Sequence, residues 1–134
     1  MSDAPTRAEA ERLVAEAEAA FAAGDVERIL AGYTDDVVIR FADFPEMRGL
    51  DAARAFLTAR FARQVGYRLT KRLRALDGDT IGNTWDGTWT DARTGRQMQG
   101  HGVEFWTVRD GKVAVWEAAF NVNEVGAGPA TPLT

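Results

Sequence analysis

Four side chains in this sequence have the means to move a proton or hold a substrate oxygen. Histidine is the side chain best suited to proton transfer near neutral pH, which makes His101, the sole histidine, the first acid/base candidate. Its neighbours Gly100 and Gly102 either let a substrate approach the backbone or mark a bulge that turns the imidazole to the other face. Lys71 shares a strand face with Tyr67, Leu69, Leu73 and Ala75, whereas Arg68, Arg72 and Arg74 lie opposite as a solvated row. An inward lysine needs a partner, which Asp43, Glu46 or a bound carboxylate can supply, unless it snorkels to the rim along its apolar stem. Asp43 belongs to the segment RFADFP, Arg40 to Pro45. Desolvated there, it would carry a raised pKa; the alternative is a loop aspartate that satisfies nearby backbone donors. Tyr33 is expected to end the second helix with its ring inward, its hydroxyl either on a substrate oxygen or on a backbone carbonyl.

Composition narrows the remaining classes. Without cysteine there is no disulfide, thiolate nucleophile or zinc-thiolate site, and one histidine cannot build a multi-histidine centre. No metal and no cofactor is expected. A formal net charge of −4 leaves no electrostatic footprint for nucleic acid. Apolar residues are 46% of the chain, but no window approaches the roughly eighteen apolar residues of a membrane span, so no membrane partner is expected. The start, MSDAPTRAEAERL, is acidic and helix-like and lacks the basic and apolar regions of a secretory signal, from which a cytoplasmic location is expected.

The elements that must position these groups follow from spacing. Thr6 and Glu9 have capping-box spacing before Leu13, Val14, Ala17 and Phe21 on one helical face, and Gly24 breaks the run. Asp25 caps a short second helix with Val26, Ile29 and Leu30, and Gly32 stands where a left-handed terminator belongs. Val37 to Phe41 suits a strand, and Gly49-Leu50-Asp51 opens a third helix carrying Phe56, Leu57, Phe61 and Val65. From Tyr67 onward, turns at Asp77-Gly78-Asp79, Asp91 to Gly95 and Arg109 to Lys112 separate four long strands. A single α+β domain over residues 1–134 is predicted, with residues 126–134 as a frayed tail.

On these features the chain resembles the nuclear transport factor 2-like superfamily, which includes ketosteroid isomerases and SnoaL-like polyketide cyclases. The resemblance covers about residues 8–124. It is carried by Ala23-Gly24-Asp25, Tyr33-Thr34-Asp35-Asp36-Val37, Arg48-Gly49 and Val108-Arg109-Asp110-Gly111-Lys112-Val113. Within the superfamily, Tyr67-Arg68-Leu69-Thr70-Lys71 and the spacing from Tyr33 through Arg40 are most similar to a bacterial branch with no assigned mechanism. The resemblance implies three N-terminal helices packed in the concave face of a curved, mostly antiparallel sheet, the cone-shaped cystatin-like/nuclear transport factor 2-like fold. It also implies a pocket between that face and the helices, and a homodimer through the convex sheet face.

The resemblance implies no inherited catalyst. The isomerase base falls at Phe41, its protonated acid at Val103 and its tyrosine at Ala17, and the cyclase aspartate falls at Phe120. Asp43 lies two residues past the missing base, near enough to inherit proton transfer. Strand parity then puts Val37, Ile39, Phe41, Trp85, Trp89, His101, Val103, Phe105, Trp116, Ala118 and Phe120 inward, an aromatic lining suited to a small hydrophobic molecule. The same parity sends Glu104 and Glu117 to the convex face, with Arg40 as an ion-pair partner across the dimer contact. Two functions remain open. One is acid/base proton transfer on a carbonyl or hydroxyl compound, of isomerase, cyclase or dehydratase type. The other is a noncatalytic module that binds a hydrophobic metabolite or another protein.

Overall fold

The structure, a computed structural model, describes residues 4–134. Helix α1 spans Arg7–Ala23 and is capped by the Thr6 hydroxyl, which accepts from the Glu9 amide at 3.1 Å. Gly24 ends it at φ 62°, a left-handed conformation glycine adopts without a side-chain penalty. Helix α2, Val26–Ala31, is capped by Asp25 on the Arg28 amide. Gly32 closes this helix at φ −89°, so the expected left-handed terminator is absent. Tyr33 does not end α2; it opens strand β1, Tyr33–Phe41, whose extended backbone starts four residues before the β-branched run. A two-residue strand β2, Met47–Arg48, pairs back onto β1 ahead of helix α3, Leu50–Arg63.

Four long strands follow: β3 Gln64–Asp77, β4 Thr80–Asp91, β5 Gln97–Arg109 and β6 Lys112–Glu124. Together the six strands form one sheet in the order β2-β1-β6-β5-β4-β3. All pairs are antiparallel except β1 with β6, which places the beginning of the sheet beside its end. The fold is the predicted α+β one, three helices against a curved, unclosed sheet. Between them lies a core of Val14, Phe21, Ile39, Leu57, Ile81, Trp106 and Trp116, all buried. Beyond Glu124 the chain has no helix or strand, although Asn123 Nδ2 donates to the Gly128 carbonyl at 2.7 Å. Among the described residues no helix is long and apolar enough to cross a membrane.

Register decides what enters the concave face. Trp85 pairs with Gly102, and Gly102 with Phe120; Asn83 pairs with Glu104, and Glu104 with Ala118. Since facing residues in a ladder share a side of the sheet, the inward positions of β5 are 98, 100, 102, 104 and 106. The expected parity of β5 is therefore off by one. His101, Val103 and Phe105 lie on the convex side and are exposed, whereas Glu104 is 2% exposed. On β1, β4 and β6 the parity is as expected: Val37, Ile39, Phe41, Trp85, Trp89 and Trp116 are buried, and Ala118 and Phe120 half-buried.

The cause lies in the two glycines beside His101. A Cβ on Gly102 would come within 2.6 Å of the Ala119 carbonyl oxygen and 3.0 Å of the Trp85 indole. One on Gly100 would reach the Trp89 ring at 3.2 Å. The indoles occupy the space that side chains at 100 and 102 would fill, so the glycines face inward and His101 outward. No bulge intervenes between 98 and 107 on β5.

Candidate functional site

The cavity opens between α3 and the concave sheet. Its volume is about 580 Å³, within the range of small-molecule sites, and Trp85, Trp89, Phe120 and Val122 form its floor. Phe41, Phe44 and Phe56 wall one side as a cluster of rings. Phe41 also lies 4.4 Å from Phe120 and 5.1 Å from Trp116, centroid to centroid, so the Phe41 ring packs the cavity's inner end.

Cationic groups adjoin these rings. Arg60 is half-buried on α3, four residues after Phe56 and three after Leu57, which puts it on the helix face that meets the sheet. Its Nε donates to Gln64 Oε1 at 2.7 Å and its Nη2 to the Tyr67 hydroxyl at 3.1 Å. The guanidinium lies 5.2 to 5.5 Å from the ring centres of Phe21, Phe41 and Tyr67, near enough for cation–π attraction to each. At the mouth Arg63 grips Asp91 through two hydrogen bonds of 2.8 and 3.1 Å. Asp91 also accepts from the Thr94 hydroxyl and the Arg93 amide. These donors, Arg63 foremost, pull its carboxyl down to about 2.

Deeper in, Lys71 and Glu104 form an ion pair with side chains 5% and 1% exposed. Lys71 thus neither snorkels to the rim nor pairs with Asp43 or Glu46; its partner is the carboxylate expected on the convex face. Glu104 also accepts from Asn83 Nδ2 at 3.0 Å and from the Trp116 indole N–H at 3.1 Å, so three donors converge on one carboxylate. The Lys71 amine lies 5.3 Å from the Trp106 ring centre. Burial pushes its pKa below the usual lysine range, partly offset by Glu104. A small void of about 10 Å³, lined by Phe41, Arg60, Tyr67, Lys71, Trp85 and Glu104, borders this pair and shares Phe41, Arg60 and Trp85 with the larger cavity. Behind the pair, a second void of about 60 Å³ lies under α1 and α2, and Tyr33 lines it. Burial there, with Glu104 nearby, raises the Tyr33 hydroxyl far above its ordinary value.

The four candidate groups are therefore dispersed. Lys71 and Tyr33 are inside and share the void behind the pair; Asp43 and His101 are exposed and lie elsewhere. Asp43 belongs to the turn after β1. There Ala42 takes φ 46° and its amide donates to the Ala118 carbonyl at 2.9 Å, so the corner RFADFP redirects the chain. Arg40 points outward but pairs within its own chain, with Glu46 at 2.8 Å and Glu117 at 3.5 Å. Glu104 and Arg60 were not among the candidates. Arg60 carried a legible signal, a cation in the apolar stripe of a helix, and Glu104 required the register of β5.

The SnoaL-like domain family matches residues 11–116 of this chain. Among solved structures, a candidate polyketide cyclase from Xanthomonas campestris pv. campestris is 26% identical with a TM-score of 0.75, covering 86% of this chain and 92% of its own. TerC, crystallised with polyporic acid, is 25% identical with a TM-score of 0.74, covering 84% and 92%. A nuclear transport factor 2-like protein of unknown function from Burkholderia pseudomallei is 22% identical with a TM-score of 0.75, covering 84% and 91%. No curated protein matches the chain.

Proposed function

This chain belongs to the SnoaL-like domain family of the nuclear transport factor 2-like superfamily, and from that premise we propose that it binds a small hydrophobic ring compound between α3 and the sheet and moves a proton on its carbonyl or hydroxyl group. The observation that carries this reading is the aromatic cavity of about 580 Å³ with a buried lysine and glutamate behind it. Trp85, Trp89 and Phe120 offer flat apolar surface for a ring, and the likeness to a candidate polyketide cyclase and to TerC, crystallised with polyporic acid, supports such a ligand.

In this reading Lys71 replaces His101 as the proton donor or acceptor. A lysine with a lowered pKa exchanges protons more readily near neutral pH than an ordinary one, and Glu104 fixes its amine.

Two variants test the proposal. Ala59 is an exposed residue of α3 that lines the cavity, so Ala59→Trp fills the opening without disturbing the core. Polycyclic ketones and phenols are expected to give saturable thermal stabilisation of the wild type and none of Ala59→Trp. Any turnover found among them is expected to vanish in Lys71→Met while binding persists; turnover that survives there removes Lys71 from the reaction.

A homodimer through the convex face accompanies this reading. Val103 and Phe105 are 50% and 53% exposed on adjacent outward positions of β5, an apolar pair that a second copy would cover. Sedimentation of the wild type as a dimer and of Phe105→Glu as a monomer is expected; identical sedimentation would set this contact aside.

A further inference from the structure

Arg60 has unfilled donor capacity. A guanidinium carries five N–H groups, of which one goes to Gln64 and one to Tyr67; the other three find no acceptor among the described residues. No carboxylate pairs with it there, although Arg63, its neighbour one turn on, takes both oxygens of Asp91. The interior carboxylate, Glu104, is occupied by Lys71, Asn83 and Trp116, and Glu18 accepts the Lys71 backbone amide at 2.7 Å. Three aromatic faces surround the Arg60 charge and hold water away from part of it. A cation so placed gains strongly from a counter-ion, because charge interactions are less screened there than in bulk water.

The lining as a whole has the same bias. In a chain of net charge −4, the cavity is bordered by Arg60, Arg63 and Arg93 against Asp91 alone. A concave surface with an excess of one sign concentrates its field at the opening and draws the opposite charge inward.

We propose that the ligand of this cavity is an aromatic anion, its ring on Trp85, Trp89 and Phe120 and its charged oxygens on the free N–H groups of Arg60. This rests on the ligand-binding reading above and deepens it by fixing the ligand's charge. The planar guanidinium suits two oxygens in one plane, as in a carboxylate or an enolate conjugated to a ring. Gln64, itself part of the cavity lining, and Tyr67, outside it, are positioning residues that hold the guanidinium in place. An anionic ligand would also supply the counter-ion that the site lacks.

Calorimetric titration of the wild type with 2-naphthoate and with 2-naphthamide, its uncharged isostere, tests the inference. The naphthoate is expected to bind about tenfold tighter or more, a charge-assisted hydrogen-bond pair against a neutral one. In Arg60→Gln, checked for folding by circular dichroism, that preference is expected to fall within about twofold, with Arg60→Lys keeping a part of it. Equal affinities in the wild type overturn the inference while leaving the cavity reading intact, and that comparison requires no variant. An anion preference that survives in folded Arg60→Gln overturns the role of Arg60. Binding of neither probe overturns the cavity reading and the inference with it.

Discussion

Lys71 on β3 and Glu104 on β5 meet across the intervening strand β4, and neither side chain is more than 5% exposed. Removing one partner of such a pair leaves the other charge buried without compensation. Glu104→Gln is expected to cost about 3–5 kcal/mol, and the double variant Lys71→Met/Glu104→Gln clearly less. Urea unfolding of the four proteins closes the cycle. Strictly additive losses would show that the two charges do not depend on one another.

Asp91 contributes to the behaviour in acid. Its folded-state pKa, about 2, lies below the ordinary aspartate value near 3.8, so the folded state binds this proton less readily than the unfolded one. The resulting stabilisation is fully present above about pH 4 and is lost as pH falls toward 2. Asp91→Asn is expected to flatten the stability curve between pH 4 and 2. Thermal midpoints measured across that range for both proteins check it, and parallel curves would contradict the assignment.

Gly102 has no room for a side chain. The nearest obstacle to an added Cβ is backbone, the Ala119 carbonyl, with Phe120 Cβ at 2.7 Å, and neither can rotate away. Gly102→Ala is expected to destabilise by about 1–3 kcal/mol, the usual range for overpacking. Gly100→Ala, which meets only the edge of the Trp89 ring at 3.2 Å and of Trp85 at 3.4 Å, is expected to lose less. Equal losses in denaturant titrations would mean that the backbone obstacle at Gly102 costs no more than the ring contacts at Gly100, contrary to this account.

His101 offers the converse case. Exposed on the convex side opposite Asp86, it is remote from the cavity lining. His101→Ala is expected to leave both the affinity for a cavity ligand and the unfolding free energy within about 0.5 kcal/mol of wild type. A larger loss of ligand affinity would require the cavity to extend to the other face of the sheet.

Local signals in the chain specify the three helices, the four long strands and most of the inward faces, though not β2 or the start of β1 at Tyr33. Caps at Thr6 and Asp25, the αL glycine at 24 and the three turns are local signals, because the groups that satisfy each other lie within a few residues. Alternation likewise sufficed for β1, β4 and β6. On β5 it failed, since Val103 and Phe105 are as apolar as the true inward residues Trp106 and Met98, and hydrophobicity alone cannot choose between two faces that both carry such residues. Only the tertiary pairing of Trp85 with Gly102 made that choice, by giving the indole a neighbour without a side chain. A one-residue difference in register reverses every side chain on a strand, so the same step that sent His101 to the surface brought Glu104 to Lys71. Partnerships across 33 residues of chain, like the aromatic surroundings of Arg60, exist only once the sheet has curved around the helices.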